Sequence, residues 1–423
     1  MKLPDYRFYI GLGIIIYLTI ALIARSKKTK IPVWSIMAFS SAITVLSGLV
    51  SVDEVRILID LDVILFLIGM FSIVSLAEQS GLLAAMAYFF ASRFKSRHAI
   101  IHASALIFGI MAAFATNDAV ALMGPPIAYV FARAANINLK VMFLLLAFSL
   151  TIGSVMTPIG NPQNILIAVK SGMNAPFIFF MVKLLIPTLL NLLATSLLII
   201  KIFKVKNERI NFSLVPHEAI KDKRDAMLSG MGLSLTIIAL VINDIFELLG
   251  MPFIAQRGTI PFIIAAGMYV LTSEPRKSLS KVDWGTIVFF ITMFITMEGV
   301  WRSGVLQPLL GAIHSSKSSM DLLSIFTISI VFSQVLSNVP LVNFYIDYMK
   351  SIGYNGQDVA AWLALACSST IAGNLTLLGA ASNIIILEVL ECRYSSTITF
   401  MEFLRIGFIV TLLNICIYIP FLL

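Results

Sequence analysis

Residues 153–168 read GSVMTPIGNPQNILIA, which places two prolines, two glycines and three polar amides inside a run that otherwise has the apolar character of a membrane-spanning helix. Residues 373–388 read GNLTLLGAASNIIILE and align with it at Thr157/Thr376, Gly160/Gly379, Asn164/Asn383 and Ile165/Ile384, each pair 219 residues apart. A single break of this kind is common in membrane helices, where Gly and Pro serve packing and kinks. Two breaks in register ask for a shared purpose.

The surrounding chain fixes the medium. Of its 423 residues 59% are hydrophobic and only 12% charged, and the mean hydropathy is +0.96. No water-soluble core could hide that much apolar surface, so the chain reads as a polytopic membrane protein. Apolar windows recur at 8–24, 32–50, 57–77, 139–157, 177–200, 226–248, 258–272, 284–300, 358–372 and 400–422. So many spans dictate an all-α bundle, because each must satisfy its own backbone in lipid. The first window is too long for a signal peptide and runs into the basic stretch RSKKTK, which predicts a retained helix. Cys367, Cys392 and Cys416 lack metal-ligand or redox spacing. The net charge of +8 sits in short loops, which fits membrane topology and argues against nucleic acid as a partner.

Further matches extend the repeat. Residues 60–83 align with 283–306 at an offset of 223, pairing Met70/Met293, Phe71/Phe294, Ser80/Ser303 and Gly81/Gly304, and Thr116-Asn117 aligns with Ser337-Asn338 at 221. The chain therefore divides into an N-terminal repeat (1–203), a cytoplasmic linker (204–224) and a C-terminal repeat (225–423). Each repeat is expected to contain a re-entrant helical hairpin (98–133 and 320–350) and a broken helix (139–171 and 358–390). With these, each repeat crosses the membrane five times, and an odd number inverts the second copy. Under this count one side receives roughly 21 of the 30 Lys and Arg, which names it cytoplasmic and leaves both termini outside.

Four polar, helix-breaking elements stand out: the tips ATNDAVALMGPP (from Ala115) and LSNVPLVN (from Leu336), and the two broken spans. Non-helical backbone at membrane depth is tolerated only where protein buries it or a cavity needs it, and paired breaks in two halves point to a transport site. A break frees carbonyls for a cation, while the helix that follows aims its N–H groups at an anion. The candidate substrate- and ion-binding residues are Thr116, Asn117, Asp118, Thr157, Gly160, Asn161, Asn164, Ser337, Asn338, Thr376, Gly379 and Asn383. Two roles fit Asp118, whose repeat partner is Val339. It is the carboxylate placed deepest in the membrane and suits coupling to a proton or sodium, and it also suits an N-terminal helix cap. Glu298, Asp347 and Glu388 fall near expected helix ends. His98, His102, His217 and His314 lack paired spacing and receive no role.

These motifs resemble the ion-transporter superfamily of arsenite permeases, Na+/H+ antiporters of the same fold, citrate carriers and divalent-anion/sodium symporters. The likeness spans about 30–420 and rests on TNDAVALMGPPIA, TPIGNPQNI, SNVPLVN and AGNLTLLGAASNI. It implies a scaffold domain that holds a homodimer, and a transport domain of hairpins and broken spans that slides as an elevator. In the symporters, a Ser-Asn-Thr triplet at each tip binds carboxylates and helps hold sodium. The matching positions here are Thr116-Asn117-Asp118 and Ser337-Asn338-Val339, with Na+ expected at Asn117, Gly160, Asn338 and Gly379. Neither triplet ends in Thr, and an acid at 118 would repel a dicarboxylate. The Asn-Asp tip resembles the arsenite-permease branch most.

The expected function is secondary-active transport of a small inorganic or organic anion, an arsenite-like oxyanion among the candidates, coupled to Na+ or H+. A cation/proton antiporter and a carboxylate:cation symporter are the alternatives. An intramembrane enzyme would need an Asp dyad, an HExxH or a Ser–His pair, and the sequence offers none of these. It also lacks GxxxxGK[ST], so ATP-driven transport would require a separate ATPase subunit.

Overall fold

The computed structural model describes residues 6–25, 31–210, 216–317, 321–377 and 379–423. The basic run after Arg25 and part of the linker, 211–215, lie outside the described residues. Among the described residues the chain is all-helical, with one isolated β-bridge between Ser96 and Arg209.

The helices appear in the same order twice. The first set is α1 (Tyr6–Arg25), α2 (Val33–Leu46), the short α3 (Val52–Leu58), α4 (Leu61–Gln79), α5 (Leu82–Ala91), α6 (Arg97–Ala115), α7 (Asn117–Ala134), α8 (Leu139–Gly153), α9 (Pro162–Lys170) and α10 (Pro176–Ile202). The second is α11 (Lys223–Leu248), α12 (Thr259–Leu271), the short α13 (Pro275–Ser280), α14 (Trp284–Ser303), α15 (Gln307–Ile313), α16 (Asp321–Leu336), α17 (Asn338–Ser351), α18 (Val359–Ile371), α19 (Ala381–Tyr394) and α20 (Phe400–Leu422). Seven described helices are long and apolar enough to cross a membrane: α4, α6, α8 with its trailing turn, α10, α11, α14 and α20. By contrast, α16 and α17 hold 16 and 14 residues. At 1.5 Å per residue they reach about 24 and 21 Å, short of an apolar layer of about 30 Å.

Repeat partners take the same local structure for the same chemical reason. Asp60 Oδ1 accepts from the Asp62 and Val63 N–H groups at the start of α4, and Asp283 Oδ1 accepts from Thr286 N at the start of α14. Each carboxylate satisfies donors that a helix start leaves open. Gly81 and Gly304 both adopt left-handed backbone, at φ 82° and 70°. At Gly81 a Cβ would also stand 1.9 Å from the Ala219 carbonyl oxygen, so the turn at the end of the linker rests directly on this glycine.

Packing between the halves is reciprocal. Helix α2 lies on α14 as α12 lies on α4, and α9 lies on α17 as α19 lies on α7. Where α10 meets α20, Asn414 Nδ2 donates to Asn191 Oδ1 at 2.8 Å. These residues are 223 apart, and a residue meets its own counterpart only near a two-fold axis. Asn374 Nδ2 extends the chain to Asn414 Oδ1 at 3.2 Å, and Asn191 Nδ2 ends it on the Pro187 carbonyl at 3.0 Å. Buried amides of this kind pin the register of membrane helices.

Two further polar clusters hold helix ends. Asp244 and Glu247 accept from the first N–H groups of α10 (Phe177 and Ile178; Ala175), and Arg257 pairs with both acids. Near the base of α16, buried His314 lies between the Tyr345 and Tyr354 hydroxyls at 2.7 and 3.0 Å, with Asp321 beyond. His102 sits within α6, its Nδ1 2.7 Å from the Ser196 hydroxyl. Spacing alone assigns these histidines no role, because their partners are brought in from other helices.

Helices α6 and α8 approach each other closely, and a Cβ on Gly153 would stand 2.1 Å from Gly109 Cα. Gly153→Ala therefore forces the two helices apart and should cost about 1–3 kcal/mol, read as a lower melting temperature. Gly13→Ala, at a glycine with nothing within 4 Å, should leave it unchanged. At α3, the Ser51 N–H and hydroxyl both donate to Glu54 at 2.8 Å, and Arg302 adds a bond at 2.9 Å. These bonds, the Ser51 backbone foremost, hold the Glu54 carboxyl at about 2, below its usual 4.5. A depressed acid stabilises above its unfolded pKa and loses that contribution as pH falls through the folded one. Glu54→Gln should thus melt below the wild type at pH 7, and the gap should close between about pH 4.5 and 2.

Candidate functional site

The two tips share an unusual backbone. Thr116 (φ 69°, ψ 147°) and Ser337 (φ 71°, ψ 157°) occupy a region essentially reserved for glycine, and they are repeat partners. Such conformations cost about 1–3 kcal/mol each and persist only where the surroundings enforce them, typically at functional sites. Their effect is to reverse the chain in a single residue, so that α7 and α17 each begin with an Asn at the turn.

Both turns open into one cavity of about 300 Å³. Asn117, Asp118, Ser337, Asn338 and Gly379 line it, joined by Gln163, Ser333, Gln334, Asp283 and Thr286. The rest of the wall is mostly apolar, including Trp34, Leu122, Phe289 and Phe290. Among the described residues no Lys, Arg or His lines it. Asn117 Oδ1 and Asn338 Oδ1 are buried and accept no hydrogen bond from the protein. Thr116 Oγ1 takes the cap position of α7, accepting from Ala119 N at 3.4 Å. The Asp118 side chain instead lines the cavity, where Asp283 is the charged group acting on it.

Other residues singled out from sequence stand behind the cavity wall. Thr157, Asn161 and Asn164 are completely buried. Asn161 Nδ2 donates to Ser154 O (3.2 Å) and to the Thr370 hydroxyl (3.2 Å), while Asn164 Nδ2 donates to Ser154 O and Thr157 O, both at 3.0 Å. The Thr157 hydroxyl donates to the Ala113 carbonyl on α6. The carbonyls freed by the first break are thus taken up by amides of the same segment. Gly160 is needed for the close turn, since a Cβ would stand 2.2 Å from Ser154 O.

The second break is looser. Asn383 Nδ2 repeats the bond of Asn164, donating to Thr376 O at 3.3 Å and to Gly373 O at 2.7 Å, while its Oδ1 is buried without a protein partner. Thr376 is half-buried, and its hydroxyl donates to Gln334 Oε1 at 2.8 Å. Sequence reasoning missed Gln163, Ser333, Gln334 and Asp283. For Gln334 a signal was present, a polar side chain in the apolar run IVFSQVLSN one turn before the tip. Asp283 served there only to align the repeats.

Chemically, the cavity offers two helix N-termini, unpaired amide oxygens and two carboxylates. N–H groups at helix starts suit an anion, whereas free amide oxygens and carboxylates suit a cation or proton.

The chain is similar over most of its length to known transporters. An uncharacterized transporter of Mycobacterium tuberculosis is 27% identical over 370 residues, covering 84% of both chains. A transporter of Dictyostelium discoideum named arsB is 24% identical over 489 residues, covering 88% of this chain and 84% of that one. In fold, the chain is similar to the crystal structure of the Alcanivorax borkumensis YdaH transporter, with a TM-score of 0.58 at 13% identity over 99% and 98% of the two chains. The family model described as citrate transporter (CitMHS) matches residues 20–366. The chain, a multi-pass membrane transporter, belongs to that family.

Proposed function

We propose that the chain is a secondary-active transporter of a small oxyanion or carboxylate, coupled to Na+ or H+, with Asn117 and Asn338 holding the solute and Asp118 carrying the coupling charge. The observation that carries this reading is the pair of unbonded Asn oxygens in one cavity, each on the first residue of a helix. A buried polar atom without a partner is costly unless a ligand completes it. Sodium would find oxygen ligands at Asn117 and Asn338, with Gly379 beside them. Gly160, buried behind the wall, is less suited.

That no described basic side chain lines the cavity shapes the substrate. A multiply charged anion facing Asp118 and Asp283 would be repelled unless cations or protons enter with it. An arsenite-like oxyacid, neutral at ordinary pH, meets the same cavity without that cost. The family supports the carboxylate and the arsB relative supports the oxyanion. A cation/proton antiporter is the second reading, favoured by the two carboxylates. In proteoliposomes it would exchange cations under a pH gradient with no anion present.

Pro32, Trp34, Asp283 and Thr286 line the cavity, and in the sequence they follow the basic stretches RSKKTK and EPRKSLSK that the charge bias assigns to the cytoplasm. In this reading the halves are inverted, both termini face outside in the cell membrane, and the conformation is inward-facing. The hairpins and broken spans would slide as an elevator against a scaffold that includes α2, α4, α12 and α14, with a homodimer built on that scaffold.

Asn117→Ala and Asn338→Ala should each lower uptake about 10- to 100-fold, the weight of a hydrogen bond to a charged group, with unchanged melting temperature. Wild-type uptake in both would remove the site. A thermal-shift screen against arsenite, sulfate, phosphate, citrate, succinate, Na+ and Li+ would name the ligand. Asp118→Asn should flatten the pH profile of uptake, and an unaltered profile would strip Asp118 of its coupling role.

A further inference from the structure

The two threonines of the broken spans are tied to the same point of the hairpins, but by different means. Thr157 donates to the backbone carbonyl of Ala113, and Thr376 donates to the side-chain carbonyl of Gln334. Thr157 and Thr376 are repeat partners at 219, and Ala113 and Gln334 are repeat partners at 221, the offset of the hairpin tips. The anchor is therefore one position of the ancestral unit, reached directly in the first half and through a Gln side chain in the second.

That difference changes what the loop can do. In the first half the loop is sealed: Gly160 is pressed on Ser154 O and the loop side chains are fully buried. In the second half the loop stands off from α16 by the length of a glutamine, and Gly379 and Ala380 face the cavity. Gln334 fills the gap with three bonds. Its Oε1 accepts from Thr376 at 2.8 Å, and its Nε2 donates to the Ala372 carbonyl at 3.0 Å and to Ile330 O at 3.2 Å. Ala372 O lies just past α18, in the turn where it also accepts from Leu375 N at 3.2 Å. Gln334 itself lines the cavity one turn before Asn338, and Gly373, beside Ala372, is where a Cβ would come within 3.6 Å of Asn338 Nδ2.

We infer that Gln334 is a positioning residue of the transport site: it clasps the unwound loop of the second half through Thr376 and the Ala372 carbonyl, and so holds Gly379 and Asn338 in register. The clasp rests on the transport reading above and adds to it a reason for the asymmetry between halves. The sealed first loop is a fixed wall, and the second is a held, adjustable one.

The experiment is amide hydrogen exchange on the purified full-length protein, combined with citrate uptake in proteoliposomes. Gln334→Leu and, as a second variant in case the first folds poorly, Thr376→Val should speed exchange about tenfold over 375–381 and leave 154–161 unchanged. The double variant should be no faster than Gln334→Leu alone, since the two act as one unit. Gln334→Glu supplies a readout that bulk or fold alone would not move. Protonated, it keeps both a donor and an acceptor; ionised, it repels the Ala372 carbonyl. Its loop should exchange like the wild type at pH 5 and faster than the wild type at pH 8. Asp118 and Asp283 share the cavity and would repel an ionised Glu at 334 but not the wild-type Gln, so they raise the pH at which the loosening sets in and add to it once it does. KM for citrate should rise in Gln334→Leu with kcat changed less. Wild-type exchange in both single variants, or additive effects in the double, overturns the clasp. Faster exchange with an unchanged KM overturns its positioning role. If Asn117→Ala and Asn338→Ala transport normally, it is the site assignment that fails, whatever Gln334 does.

Discussion

Main chain that leaves a helix inside a bilayer must find hydrogen-bond partners within the protein, since hydrocarbon offers none. This one constraint organises the molecule. The chain stops being helical at two tips and two broken spans, and at three of these four places a side chain of the same segment takes up what the break released. Asn164 and Asn383 do it for the carbonyls of Thr157 and Thr376, and Thr116 does it for the Ala119 N–H in the first turn of α7, whereas Ser337 makes no such cap bond. Among the buried polar atoms left without a protein partner, the Asn117 and Asn338 oxygens meet at one cavity, and the Asp118 carboxylate lines it with them.

The same constraint explains why two similar halves need not play similar parts. An alanine at 113 lets the first loop close against the backbone of α6, and glycines at 109 and 153 let the helices come near enough for it. A glutamine at 334 keeps the second loop at a distance. Likewise Asp118 answers to Val339, so the charge enters from one hairpin only. Each exchange is a single residue in a shared frame, yet together they close the first broken span against α6 and leave the second facing a cavity that both halves line.

Among the described residues no basic side chain lines the cavity. Whatever attraction it has for an anion comes from helix starts, a partial charge of about +0.5 each, and the side-chain charges there are negative. Under the proposed transport reading, a balance of this kind would tie the binding of an anion to the presence of a cation or proton. The outer rim of the bundle shows the opposite habit: its charges are mutually satisfied, as in the Arg257–Asp244–Glu247 cluster and the Arg302 pairs with Glu54 and Glu298.

Hydropathy determined the membrane and the all-helical class, because lipid allows little else, and the recurrence of Thr157, Gly160 and Asn164 at 376, 379 and 383 determined the internal duplication. The tips were legible for the same reason: an Asn beside a helix breaker in an apolar run has few purposes. Which of these residues face the cavity was not legible. Asn164 and Asn117 are the same amide in sequence, and only packing shows that one is spent on backbone carbonyls while the other is left for a ligand. Gln334 and Asp283 became visible for the complementary reason. Each belongs to a helix whose sequence alone says nothing of its neighbours, and it is the meeting of α14, α16 and the second broken span, some hundred residues apart, that brings them to one wall.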